Sequence, residues 1–558
     1  MSKSLFFITI GPVKSSINNS RKMRDMYAGS FLLSYLINEV IKELKKMSNV
    51  EIIIPSAQSN IKDGINIPNK VIAKIEGLNA EQKNSFANDI SSLIKEKFIA
   101  ICNQVFDEVN VSINYLALNQ LEQFIEIYWL FEEYNDKDDD IFVYEKAVEK
   151  MRSVKNLRNF NQINEEPGRK CSLYPDKNAI YYRKKTNGKI PDYMDNKEYT
   201  IDITNKQKCT YAFKAGEGLS AYAFVKRMLH TLKNKEELGY KLEISSVAYM
   251  LLKSRIDNLT GLTDESCEAL MDLYNDNIPS TEDYSEEQIN IAKSLYYINN
   301  NKKITPYYAI IKIDGDNMGN AFNNCTTYNE QQSLSERTSR FAFKAKKIAT
   351  YNKGICIFAG GEDILMFLPI DTLFSTVNRL YKEYPEIIGE EFTFSAGIVI
   401  AHFMQPLKDV MVRVYEAEKK AKNNCITKNS FAIDVIKRSG EGISITNSFG
   451  NKCDNFNAIR DIVIKLCGDE LSHSYLYNLI SYLEKIIDCK KDNGKIKYDS
   501  EMIKALVIQA NKIKEEKTRK EISDLVFELY QKFGDLKRFN DSIKIIDFLS
   551  KEGIYSDI

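Results

Sequence analysis

Two apolar runs that end in carboxylates constrain this chain more than any other feature. The run Tyr307–Ile313 leads into Asp314-Gly315-Asp316-Asn317-Met318-Gly319, and about 45 residues later Phe358-Ala359-Gly360-Gly361-Glu362-Asp363-Ile364 joins two further apolar runs. Short apolar runs bounded by glycine and acidic residues read as strands. Gly360-Gly361 supplies the positive φ that a tight turn between strands needs. If the two strand ends are neighbours, Asp314, Asp316, Glu362 and Asp363 meet. Four carboxylates together repel one another unless cations neutralise them, and hard oxygen donors of this kind suit Mg2+ or Mn2+, which also hold a triphosphate. That is the arrangement of metal-assisted phosphoryl transfer. Asp314 and Glu362 lead the expected ligand set, followed by Asp363 and Asp316. Either motif alone reads equally well as a polar turn. The pairing at this spacing carries the chemistry.

The surrounding pattern is a strand (Tyr307–Ile313), a helix over about 335–350, a hairpin over 354–368, a strand over 392–401 and a helix from Pro406. It predicts an α+β sandwich on an antiparallel sheet. Lys419, Lys420 and Lys422 on the last helix can reach phosphates, or can simply be solvated. The N-terminal segment repeats the theme: Leu5–Pro12 can be laid on Tyr308–Gly315, and in each copy a helix and a second strand follow. Gly11 then falls opposite Asp314 and Pro55 near Gly360, so the first copy lacks the carboxylates. Four regions result: 1–150, a degenerate copy whose helix starts near Ser30; 151–300, less regular; 301–445, the acidic copy; and 446–558. In the last, Leu471, Tyr475, Leu479 and Tyr482 recur at helical spacing.

With 558 residues, 44% of them hydrophobic, the chain can bury several cores. Lysine plus arginine and aspartate plus glutamate both number 77, so no global field draws it onto nucleic acid. Any RNA contact is local or made through partners. The apolar stretch Phe31–Val40 is broken by Ser34, Asn38 and Glu39 and is too short for a membrane span, and no charged-then-apolar leader precedes it. Ten scattered cysteines fit reduced thiols and a cytoplasmic setting.

The segments Tyr308–Gly319 and Ala359–Leu365 closely resemble the catalytic palm of the large subunit of Cmr-type (type III-B) CRISPR effector complexes. Ile10–Val13 with Arg24–Leu36, Ala396–His402 and Ile436–Gly440 agree with the same family. The resemblance implies two palm or nucleotide-cyclase-like (ferredoxin-like) units, an intervening helical region with a degenerate zinc ribbon, and a helical C-terminal domain. It also implies other Cmr subunits, CRISPR RNA and target RNA as partners. The implied activity is synthesis of an adenylate messenger from ATP, as a cyclic oligoadenylate or as a conjugate of AMP with S-adenosylmethionine.

Departures from the family pattern refine that picture. The usual Gly-Gly-Asp-Asp is Gly-Gly-Glu-Asp here, which keeps both carboxylates. No His-Asp pair occurs among His230, His402 and His473, so no DNase activity and a form without the nuclease domain are expected. Cys171-Ser172-Leu173-Tyr174 keeps one thiol of a zinc knuckle and Leu219–Ala223 keeps none, so no zinc is expected. Arg21, Lys22 and Arg24 precede Ala28-Gly29-Ser30 at an expected helix start. There, backbone N–H groups favour anions and can seat an acceptor nucleotide; a basic loop with a serine cap is the equal alternative. The nucleotide-binding set is thus Gly315, Gly360, Gly361, Lys419, Lys422, Arg21, Arg24 and Ser30. A diguanylate-cyclase-like enzyme and a non-catalytic scaffold are the rival readings.

Overall fold

The computed structural model describes residues 3–56, 67–135, 139–157, 168–184, 201–203, 209–257, 259, 261–299, 301–424, 426, 428–440, 442–468, 470–493 and 500–553. They divide into two compact units. One holds Met1–Ile304 with Asn317–Lys344 and Ile357–Asp363, and the other holds Thr305–Asp316, Ala345–Cys356 and Ile364–Ile558.

In the first unit, β1 (Lys3–Gly11), β2 (Val50–Ile54), β3 (Lys70–Glu76) and β4 (Glu126–Tyr134) form an antiparallel sheet in the order β2-β3-β1-β4. The helix Met23–Leu44 connects β1 to β2, and Ala80–Val109 lies between β3 and β4. The apolar stretch around Phe31–Val40 is thus the buried stripe of a helix packed in the first unit, with Phe31, Leu32, Leu36, Ile37 and Val40 all buried. Leu5, Phe7, Ile72 and Leu130 make one apolar face of the sheet, which the helix Asp140–Asn156 covers through Val143, Tyr144, Ala147 and Met151. A small three-stranded sheet follows: β5 (Tyr181–Tyr182), β6 (Ile201–Asp202) and β7 (Gly218–Leu219), in the order β6-β5-β7.

The second large sheet comprises β8 (Tyr307–Gly315), β9 (Ile355–Ala359), β10 (Ile364–Pro369), β11 (Phe394–His402), β12 (Ser430–Ile436) and β13 (Gly442–Ser448), in the order β13-β12-β11-β8-β10-β9. Its four strands β11-β8-β10-β9 repeat the β4-β1-β3-β2 order of the first sheet. This is the ferredoxin-like order on both sheets, and the sequence repeat corresponds to it: β1 and β8 are the equivalent inner strands, nine residues each. The pair β12–β13 extends the second sheet, with β12 parallel to β11. Five helices follow, Asp454–Cys467, His473–Asn493, Ser500–Ala510, Glu516–Phe533 and Leu536–Glu552. The expected helical stripe is buried at Leu471, Tyr475 and Leu479 and continues through Leu483 rather than Tyr482. None of the described helices is long and apolar enough to cross a membrane.

Candidate active site

Asp314 is the penultimate residue of β8, where the strand leaves the core and its side chain becomes partly exposed. Lys422, the penultimate residue of the helix Leu407–Asn423, forms a hydrogen-bonded ion pair with Asp314 Oδ2 and a second with Glu418 Oε1 at 2.7 Å. Burial lowers the Lys422 pKa, but the two carboxylates outweigh it and hold the ammonium above its ordinary range. Lys422 is therefore a charged partner of Asp314. Lys420 turns instead to Ser444 Oγ at 2.9 Å and Asp434 at 3.5 Å. Lys419 lines an open groove of about 520 Å3 with Glu416, Asn423, Thr446 and Arg538. Lys420 lines the same groove, whereas Lys422 pairs with Asp314.

Asp316 faces inward and is 4% exposed. Its Oδ2 accepts from Thr393 Oγ1 at 2.8 Å and from the Asn429 backbone N–H at 2.9 Å, and its Oδ1 accepts from Ser395 Oγ at 2.8 Å. The Asp316 N–H donates to the Thr393 carbonyl at 2.8 Å. Both carboxylate oxygens are spent on holding β8, the start of β11 and the segment before β12 together. The geometry gives Asp316 a framework role, in contrast to the ligand role expected from its motif, because buried hydroxyl and N–H donors outcompete a solvent-facing cation for its oxygens.

The Gly-Gly-Glu-Asp segment forms the turn from β9 to β10. Gly360 N–H donates to the Asp363 carbonyl at 2.9 Å, closing it. Gly361 has φ of +100°, a conformation that a side chain disfavours. Glu362 and Asp363 are half-buried. In the antiparallel ladder of β10 with β8, Ile364 pairs with Ile313. Asp363 precedes the one and Asp314 follows the other, so the adjacency of strands that the acidic motifs required is present in the register. Among the described residues, no three His, Cys, Asp or Glu side chains are grouped to hold a metal by themselves. Mg2+ is ordinarily held by one or two carboxylates together with substrate phosphates and water, and Asp314, Glu362 and Asp363 supply hard oxygen donors of that kind. The donor chemistry fits such an ion.

The basic loop of the first unit departs from expectation. The helix begins at Met23 with Lys22 as its N-cap, not near Ser30. Ser30 lies in its second turn and is buried, and a Cβ on Gly29 would stand 2.2 Å from the Ser16 carbonyl oxygen. Ala28-Gly29-Ser30 is a close helix contact. Arg24 is 4% exposed and pairs with Asp264 at 2.9 Å and Glu265 at 3.1 Å; Lys22 pairs with Glu265 at 3.1 Å and Glu268 at 3.2 Å. Arg227 joins Asp25 at 2.7 Å and Glu217 at 3.2 Å, and the more exposed Arg21 lies 3.5 Å from Glu217. Arg21, Lys22, Arg24 and Asp25 are thus used internally, against partners more than 190 residues away along the chain. A local sequence window contains none of them.

The fold is similar to that of known proteins. Residues 307–432 match the family model "Cas10/Cmr2, second palm domain", and residues 5–125 match "CRISPR-associated protein Cmr2, N-terminal". The chain is thus similar to Cas10/Cmr2 proteins over these two regions. A curated relative, the CRISPR system Cmr subunit Cmr2 of Pyrococcus furiosus, is 23% identical over 571 aligned positions, covering 78% of this chain and 62% of the relative. The chain therefore spans somewhat under two thirds of that relative's length. Two solved structures share the fold: a type III-B Cmr-beta complex in the apo state (TM-score 0.64, 14% identity, 91% of this chain and 77% of that one) and Cmr-beta bound to cognate target RNA (0.63, 14%, 91% and 78%).

The two segments compared above with a zinc knuckle, at Cys171 and at Leu219–Ala223, do meet. Cys171 Sγ accepts N–H groups from Leu173, Tyr174 and Ser220 at 3.4, 3.4 and 3.1 Å. Tyr174 and Tyr222 pack edge to face beside it. The lone sulfur is held by backbone donors in a site otherwise filled with aromatic rings. Sequence reasoning missed Thr393, Ser395 and Asn429 as anchors of Asp316, because nothing local links them to it.

Proposed function

We propose that the chain is the palm-domain nucleotidyltransferase subunit of a type III-B CRISPR effector, making an adenylate messenger from ATP when target RNA pairs with the CRISPR RNA. The observation that carries this is the register of β8 with β10, in which Ile313, just before Asp314, pairs with Ile364, just after Asp363. The matches of residues 307–432 and 5–125 to Cas10/Cmr2 family models and the name of the Pyrococcus relative, a Cmr subunit, support the assembly with other Cmr subunits and the two RNAs.

Asp314, Glu362 and Asp363 would hold Mg2+ or Mn2+, which supplies charge stabilisation at the α-phosphate and the departing pyrophosphate. An acceptor hydroxyl oxygen forms a bond to the α-phosphorus of ATP as the α–β bridging bond breaks. Pyrophosphate leaves, and the hydroxyl proton passes to solvent. The chain's own residues mainly position groups. Lys422, already charged, balances Asp314 and would be available to a triphosphate held there; Asp316 fixes the end of the strand that presents Asp314. Gly315 at the end of β8 and Gly360 and Gly361 in the turn would leave room for a nucleotide. Product formation is the test. Asp314→Ala and Glu362→Ala should each abolish messenger synthesis by the assembled, RNA-activated complex while the complex still assembles and binds RNA. Full synthesis by either variant would reject the assignment. Mass spectrometry of the product, with ATP alone and with S-adenosylmethionine added, separates a cyclic oligoadenylate from an AMP conjugate.

A further inference from the structure

A stretch of one-signed charge and an unused apolar row meet on one helix of the first unit. Residues 256–292 carry ten aspartates and glutamates and no lysine or arginine. The fold spends some of these carboxylates internally: Asp264, Glu265 and Glu268 close on Arg24 and Lys22, and Asp272 accepts from the Tyr284 hydroxyl at 2.9 Å. Glu286 and Glu287 are different. Both are exposed in the first turn of the helix Glu286–Ile298, and among the described residues neither has an ion-paired partner. Ser285 and Gln288 form a capping box that fixes where this helix starts.

The same helix has two apolar rows. Ile289 and Ala292 are buried, and Tyr296, one turn further on, packs edge to face on Tyr274 of the helix Asp264–Tyr274 with ring centroids 5.2 Å apart. That row is used within the fold. Ile291, Leu295 and Ile298 recur at i, i+4 and i+7 and so form a second row on another side of the helix. Ile291 and Leu295 are only partly covered, and Ile298 is 74% exposed. Together with Leu262, Ile291 and Leu295 line an open groove of about 680 Å3 that Glu286 and Glu287 also line. A contiguous exposed apolar row rimmed by charge is the mark of an interaction surface.

We propose that this groove docks an amphipathic helix of a protein partner, whose apolar residues cover Ile291, Leu295 and Ile298 and whose lysines or arginines meet Glu286 and Glu287. Anchors at i, i+4 and i+7 have the spacing of helix-in-groove recognition. Charge selects the occupant. Carboxylates without cationic partners repel the phosphates of RNA and an anionic lipid surface, and they attract a cationic segment. A second copy of the chain docked through the same surface would set like charges against each other. The inference uses no residue of the acidic palm and is independent of the nucleotidyl-transfer reading.

Fluorescence anisotropy of a labelled helical peptide of lysine and leucine, about 14 residues or some 21 Å of helix, titrated with the full chain, tests the groove. One saturable site is expected. Ile298→Gln should weaken binding about tenfold, the loss expected when a large aliphatic side chain no longer buries its surface. Glu286→Gln combined with Glu287→Gln should weaken it severalfold at low salt and have little effect near about 1 M salt, where charges are screened within about 3 Å. All three positions are exposed, so both variants should melt as the parent does. A glutamate–leucine peptide of the same length should not bind, and single-stranded RNA should not compete. The proposal is overturned if the lysine–leucine peptide fails to bind, if it binds the parent and the folded variants equally, or if the glutamate–leucine peptide binds as well. Competition by RNA also overturns it, and so does a dimer of the parent chain that Ile298→Gln dissolves, which would make a second copy the occupant.

Discussion

Replacing Arg24 with alanine separates a framework charge from a ligand-binding one. The guanidinium is 4% exposed and bridges Asp264 at 2.9 Å and Glu265 at 3.1 Å, whose side chains are 3% and 10% exposed. After substitution Lys22 still holds Glu265, so the loss falls on Asp264, left with Ser245 as its hydroxyl donor. Removing one partner of a buried pair costs about 3–5 kcal/mol because the other charge stays buried. Asp264→Asn placed in the Arg24→Ala chain should return about 1–3 kcal/mol of that, as a double-mutant cycle between contacting residues allows. The pH dependence has a definite sign. Burial already raises the Asp264 pKa and Arg24 opposes the rise, so losing Arg24 raises it further in the folded chain. A raised folded-state value means that the protonated folded form gains as pH falls, so the deficit should be smallest near pH 4, close to the unfolded value of about 3.9, and grow toward neutrality. Denaturation of the full chain across that range measures both effects. A loss below about 1 kcal/mol accompanied by selectively weaker nucleotide binding would refute the framework role and restore Arg24 as a phosphate ligand.

The other predictions concern the acidic palm. Asp316→Ala should destabilise the second unit by about 2–4 kcal/mol, because it leaves the Thr393 and Ser395 hydroxyls and the Asn429 N–H without their acceptor; Asp314→Ala, at a partly exposed carboxylate, should change the melting temperature little while abolishing the product. Equal melting of the two variants would remove the distinction drawn between them. His402 is held at about 4 by burial first and the Arg438 guanidinium second, against an ordinary value near 6.5. A depressed folded-state pKa contributes stability that is present above the unfolded value and lost as pH falls through the folded one. His402→Gln, which keeps an acceptor for the Met404 N–H, should therefore flatten the acid limb of the stability profile between about pH 6.5 and 4, and an unchanged limb would exclude His402 as its source.

Much of the second sheet was legible because its signals are local. Gly360-Gly361 between apolar runs specified the turn, and the alternation of apolar runs with helical spacing located β8, β10, β11 and the helix Leu407–Asn423 to within a few residues. Strands β3 and β4 were not legible. Lys70–Glu76 mixes lysines with apolar residues, and Glu126–Tyr134 carries Trp129 among acidic residues, so neither shows a clean period. The start of the helix at Met23 was hidden for a related reason: Ala28-Gly29-Ser30 has the composition of a cap, while its glycine is required by contact with the Ser16 carbonyl.

The sequence by itself determined the elements and the inventory of charged groups: where strands end, where a glycine turn is obligatory, and that one of two related sheets carries acidic motifs while the other does not. Only the tertiary structure decided which of those charges are spent and which remain available. Asp314 and Asp316 are two residues apart, at and just past the end of β8, yet one faces Lys422 and the other is closed by three donors. Arg24 and Lys70 look alike as cations, yet Arg24 is closed by two carboxylates some 240 residues away and Lys70 is not. The physical reason is that a charge is defined by its desolvation and its partners. Those partners are brought in by the packing of distant segments, which local periodicity does not encode.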